Sequence, residues 1–254
     1  DGTNQTHKDI VWTSVTNEPT ARMVSFTGGD ANNQEERLYI FDYSQGNDTK
    51  YWVEDTTTLT SMAEDLDQDG GDEAVQFSLM IGYKFHLWGT GFWDAGATSF
   101  RPEMIRFSQP GLVPGTDTDG TTGQEWFTDD HRSLGNRGQK IRALSRAGDR
   151  LIVFQPRAMH AVYGSGANTW TRQELDSATG CVGPHAVTVT DERICYFWAS
   201  DGPYRTDGSK VQYIGGPIRQ SITEVETDED HVVAGYSPDD GLVYFVLTES
   251  GADE

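Results

Sequence analysis

Residues 148–166 read GDRLIVFQPRAMHAVYGSG, 179–189 TGCVGPHAVTV, 192–208 ERICYFWASDGPYRTDG and 211–217 VQYIGGP. Short apolar runs rich in Val, Ile, Tyr and Phe alternate here with Gly, Asp, Pro and Ser punctuation at intervals of roughly eight to twelve residues, the spacing of short antiparallel strands joined by tight turns. No helical period fits between the breakers. The fold predicted from this stretch is all-β.

Working outward, the same layout recurs. ERLYIFDYSQGND from Glu36, GYKFHLWGTGFWD from Gly82, the run from Gly148, DERICYFWASDG from Asp191 and DDGLVYFVLTESG from Asp239 each set an apolar strand between turns. With Leu38, Phe85, Leu151, Ile194 and Leu242 as anchors, the intervals are 47, 66, 43 and 48 residues. Three of the four match a four-stranded propeller blade of roughly 40 to 50 residues. The expected architecture is therefore a single all-β domain over 1–254, built of antiparallel four-stranded sheets in a β-propeller-like array of about five blades or part of a larger ring. A β-sandwich is the alternative. The long interval holds 110–138, rich in Gly, Thr and Asp, which reads as an inserted loop. Leu151, Val153, Phe154, Val162, Tyr163, Ile194, Tyr196 and Trp198 are expected between sheets, and most of the seven Trp in the core. The chain begins at Asp1 without Met and reads as a processed product or a piece of a longer one.

The quoted stretch resembles a module found in virion structural proteins of tailed bacterial and archaeal viruses. The shared order is GDRLIVF, a basic residue, a short strand, GSG, a Trp, GCV-x-P, a strand and SDG-x-YR-x-DG; IGYKFHLWGTGFWD and EMIRFS, within 81–108, resemble the preceding segment more loosely. The resemblance implies a propeller-like tail, neck or nozzle component located in the virion. Such a protein is expected to assemble with other virion proteins around the DNA channel as a homo-oligomeric ring, without enzymatic activity or a required cofactor. The chain departs from the pattern at Gln155, where Lys is expected, and in the lengthened loop 110–138.

Charge agrees with a non-adhesive surface. The chain has 40 acidic and 19 basic residues and a net charge of −21, with 25 Asp against 15 Glu and 14 Arg against 5 Lys. Short hydrated carboxylates with few ammonium groups are the bias of a protein working in concentrated salt, where the Debye length falls to about 3 Å. The same surface disfavours sequence-specific or wrapping contact with nucleic acid, which needs clustered Lys and Arg. No apolar run has the length of a membrane helix, and no signal peptide is recognisable. Cys181 and Cys195 lack the spacing of a metal site and read as two buried free thiols, a cross-strand disulfide being the alternative.

The sharpest chemical pattern is DLDQDGGDE at 65–73. Asp65, Asp67 and Asp69 precede Gly70 at alternate positions, as in loops that converge carboxylates on Ca²⁺. Asp72 and Gln76 stand where an EF-hand wants a hydrophobe and a bidentate Glu, so the expectation is at most a simpler calcium loop. Asp117 and Asp119 form a weaker run. The triplets at 200–202, 206–208 and 239–241 are explained by Asp-Gly turns. Nucleophile-elbow, zinc-hydrolase and phosphate-loop patterns are absent, and the six His are scattered, with His86 and His160 expected in the core or at an edge. Arg137, Arg142, Arg146, Arg150 and Arg157 form a local basic group, read as an interface to an acidic neighbour or as ion pairing with the chain's own surface. The loops 110–138 and 65–73 are the other expected contacts. The rival functions are a glycan-binding or glycan-cleaving propeller, whose carboxylates would converge in a Trp-flanked pocket, and a calcium-dependent adhesion module.

Overall fold

The computed structural model describes residues 21–29, 34–42, 48–53, 59–64, 73–94, 99–110, 131–134, 139–166, 169–222 and 232–247. Within them the chain runs as consecutive antiparallel meanders. The first sheet is β1 (Ala21–Gly29), β2 (Gln34–Asp42), β3 (Lys50–Val53) and β4 (Thr60–Ser61), followed by a small hairpin of β5 (Ala63–Glu64) and β6 (Glu73–Ala74). The second is β7 (Leu79–Tyr83), β8 (His86–Asp94), β9 (Ser99–Phe107) and β10 (His131–Ser133). The third is β11 (Ala143–Ala147), β12 (Arg150–Gln155), β13 (Ala158–Tyr163) and β14 (Thr171–Asp176), and the fourth is β15 (Val187–Val189), β16 (Cys195–Ala199), β17 (Gly202–Thr206) and β18 (Val211–Tyr213). A 3-10 turn (Gly216–Ile218) and the one-turn helix α1 (Arg219–Ile222) lead toward a two-stranded sheet of β19 (Val232–Ser237) and β20 (Leu242–Leu247).

Each sheet is laid down in sequence order, and the first strands touch in series: β1 against β7, β7 against β11, β11 against β15, and β15 against β19. Arg22 at the start of β1 also donates to the carbonyl of Pro184, just before β15, at 3.4 Å, so the series bends back on itself. Among the described residues no strand pairing closes it into a ring, and no helix is long and apolar enough to cross a membrane.

The anchors mark the second strand of every sheet. Leu38 lies in β2, Leu151 in β12 and Leu242 in β20, while Phe85 and Ile194 directly precede β8 and β16. Phe85 is a correction: it occupies the turn at φ 63°, after Lys84 at φ 48°, and is 83% exposed. The tight pairing of Tyr83 with His86 forces both turn residues into the left-handed region. The loop expected over 110–138 also needs correcting at its far end, where His131–Ser133 pairs with β9 to complete the second sheet.

Two apolar clusters hold the sheets together. Phe26, Tyr39, Phe77, Trp88, Phe107, Leu151, Val153, Val162 and Trp170 join sheets one to three. Ile152, Phe154, Ala161, Phe197, Trp198 and Val232 join sheets three to five. The unbroken run LIVF in β12 follows from this division: side chains alternate across a strand, so Leu151 and Val153 enter one cluster while Ile152 and Phe154 enter the other. Tyr163, Ile194 and Tyr196 are only half-buried, and Phe197 takes the inward place in β16. Trp88, Trp170 and Trp198 are buried, as expected of core tryptophans. Cys181 and Cys195 are buried free thiols, both pushed up to about 12 by burial.

Candidate functional site

The hairpin tips of sheets two, three and four meet at one end of their strands. The β11–β12 turn uses Gly148 at φ 55° so that Ala147 pairs directly with Arg150. The β15–β16 turn is held by Arg193 N donating to Thr190 O at 2.8 Å and Thr190 N donating to Ile194 O at 3.1 Å, with Arg193 at φ 59°. A turn followed by a left-handed residue is a familiar hairpin ending, and Gly is the residue that normally occupies that last position. Arginine stands there instead.

These tips are joined by a contact set that repeats from one sheet to the next. Between sheets two and three, the Tyr83 hydroxyl donates to Asp149 O at 2.6 Å, and Lys84 Nζ donates to Gly164 O at 2.9 Å. Between sheets three and four, Gly148 N donates to Arg193 O at 2.8 Å, and Arg150 donates to Gly208 O at 2.9 Å. In both seams the first hairpin of one sheet grips the first hairpin of the next. In both, a basic side chain crosses to a glycine carbonyl in the next sheet's last turn. That last turn in sheet four is stiffened by Asp207, which accepts from the Ser209 hydroxyl at 2.7 Å, Ser209 N at 2.8 Å and Lys210 N at 3.1 Å. These bonds, the hydroxyl's foremost, hold the Asp207 carboxyl at about 2.

Behind the tips lies a pocket of about 560 Å³, lined by Ile81, Tyr83 and Lys84 of sheet two, Leu144 to Arg146, Gly148 and Asp149 of sheet three, and Val189 and Arg193 of sheet four. Its charged groups are Lys84, Arg146 and Arg193 against the single carboxylate of Asp149. Asp149 is taken by Lys84, at 2.8 Å, which raises the Lys84 ammonium above its ordinary value. Arg146 donates to the carbonyl of Gly82. Its guanidinium is pulled down by burial and then by the like charge of Arg193. Among the described residues neither Arg146 nor Arg193 is paired with a carboxylate. The pocket is therefore a cationic, partly apolar recess in a strongly acidic chain.

The predicted site residues are dispersed. Asp65, Asp67, Asp69 and Arg137 lie outside the described residues, as do Asp117 and Asp119; β5 and β6 flank the acidic run as a hairpin. Arg142 precedes β11 and Arg157 is exposed in the β12–β13 turn, at the opposite end of sheet three from Arg146 and Arg150. Arg146 and Arg150 diverge, Arg146 toward sheet two and Arg150 toward Gln173, Gly208 and the ring of Tyr163. His86 and His160 are core residues: His86 Nδ1 bonds Ser108 O among the rings of Trp88, Phe107 and Trp170, and His160 Nε2 meets Gln155 Oε1 at 3.2 Å. Lys84 and Arg193, which complete the pocket, carry no local sequence pattern; the one trace is a long basic residue in a turn position that favours glycine.

Fold and seam define the chain as a serial array of antiparallel meander sheets locked tip to tip. No protein-family model matches it, and no curated protein matches it in sequence.

Proposed function

We propose that the chain is a non-enzymatic structural part of a tailed-virus particle, a propeller-like array that assembles with neighbouring virion proteins, and with copies of itself as a ring around the DNA channel. The observation that carries the reading is a comparison of two strands. LIVF of β12 is apolar throughout because a sheet packs on each of its faces. LVYFVL of β20 is equally apolar, yet only one face is covered: Phe245 meets Trp198 edge to face with ring centroids 5.3 Å apart, whereas Leu242, Tyr244 and Val246 are 51%, 48% and 65% exposed. A strand apolar on both faces but covered on only one suits a part that packs against a neighbouring protein.

The first sheet offers the matching surface. Cross-strand partners share a face, so Met23, 64% exposed, lies on the side away from the Val24 and Phe26 face that meets sheet two, beside its already buried partner Ile40. Burying such side chains contributes roughly 1.5 to 3 kcal/mol each. Head-to-tail contact of the fifth sheet with the first sheet of another copy is a heterologous interface, which closes a ring when the rotation allows.

Two measurements test this. Antibodies against the chain should decorate tailed particles, and light scattering of the purified protein at its working salt should give a multiple of the chain mass. That mass should fall to one chain in a Leu242→Asp, Val246→Asp variant whose circular dichroism is unchanged. A monomer absent from particles overturns the proposal.

A further inference from the structure

We infer that the pocket between Lys84, Arg146 and Arg193 is a binding site for a carboxylate carried on an apolar stem. This goes beyond the structural role and does not need it. A chain with 40 acidic residues has carboxylates to spare, yet two guanidiniums share this recess with no carboxylate partner among the described residues and repel each other. Both arginines are open to solvent, which screens their repulsion, and an oxyanion placed between them replaces it with attraction. The guanidinium fork fits a carboxylate with two parallel hydrogen bonds.

The site is built rather than incidental. Arg193 is held at φ 59°, in a turn position that Gly would occupy without strain and that an L-residue with a Cβ adopts only at a cost. Arg146 is fixed by its bond to the Gly82 carbonyl. The Lys84–Asp149 pair satisfies the one acid in the lining, so the recess remains cationic. Ile81, Leu144 and Val189 supply the half-buried apolar wall that selects an aliphatic stem over a bare inorganic ion. Such a group comes either as an acidic side chain on an adjoining chain or as a free organic acid.

Two probes separate the sources: an acetylated Leu-Glu-Leu tripeptide amide, charged only at its Glu, and 4-methylpentanoate. Calorimetric titration is run at the lowest KCl at which the protein stays folded, with the neutral Leu-Gln-Leu peptide as control. Binding by one or both acids, but not by the control, supports the inference, and the acid that binds names the source. Arg193→Gly removes the charge while relieving the backbone, so a folded protein is expected; it should weaken binding about tenfold or more, and Arg193→Lys should recover part of the loss. No binding by either acid up to roughly 10 mM, or binding unchanged in Arg193→Gly, overturns the site.

Discussion

Gln155 is fully buried and spends its amide twice, donating to Gln139 O at 2.9 Å and accepting from His160 Nε2 at 3.2 Å. The Lys expected here would bring an ammonium into this site beside an imidazole, and the neutral amide removes that conflict. With its proton on Nε2, His160 has an unpartnered Nδ1, and burial, aided by the charge of Arg172, pushes the imidazole below its ordinary 6.5. The unfolded chain takes up a proton near pH 6.5 while folded His160 resists it. Stability is therefore full above that pH, falls as the pH drops below it, and levels once the folded group also protonates. Urea midpoints between about pH 6.5 and 5 should show this slope, and His160→Gln should flatten it; equal slopes in both proteins would assign the effect elsewhere. Gly180 is constrained by space instead. An added Cβ would lie 1.8 Å from the carbonyl oxygen of Gln155, which accepts from Cys181 N at 3.1 Å, and backbone on both sides leaves nothing to yield. Gly180→Ala should lower unfolding free energy by roughly 3 kcal/mol in urea titration, and a loss below about 1 would show that the two segments separate freely.

At the scale of elements, the strands were legible because their code is local. Apolar runs between Gly, Asp, Pro and Ser breakers sufficed to place β12, β13, β16 and β17, and the apolar anchors fell in or directly before β2, β8, β12, β16 and β20. Parity was less legible: in CYFW, where neighbours are equally apolar, burial falls on Cys195, Phe197 and Trp198 rather than Tyr196. The seams were invisible. Lys84 with Gly164 and Arg150 with Gly208 span 80 and 58 residues, and nothing local distinguishes a seam arginine from a solvated one. Arg150 tests their weight. It bonds Gly208 O at 2.9 Å and Gln173 Oε1 at 3.0 Å and lies 5.0 Å from the Tyr163 ring centroid. Arg150→Ala should lose about 2 kcal/mol in urea titration, and Arg150→Met, which keeps the aliphatic stem, should recover part of it. Equal losses in the two variants would place all the energy in the hydrogen bonds.

For the whole molecule, the decisive quantities are stacking and charge. Sheet three is buried on both faces, so the two clusters share a wall and the array transmits load through close-packed side chains rather than through linkers. Against that cohesion stands a net charge of −21, whose self-repulsion is felt most by the compact state. At low ionic strength the carboxylates act on one another over tens of ångströms; at molar salt the screening length is about 3 Å and the repulsion is nearly gone. Each kcal/mol relieved raises the melting temperature by roughly 2 to 4 °C for a chain of this size. The melting temperature should thus climb by several degrees as KCl is raised from about 0.1 to 2 M, with most of the gain where the Debye length shortens fastest. The carboxylate pocket should respond in the opposite sense, since added salt weakens the attraction of Arg146 and Arg193 for an anion. A melting temperature indifferent to KCl would mean that the acidic surface is dispersed enough to cost nothing, and would remove the argument that this chain is adapted to concentrated salt.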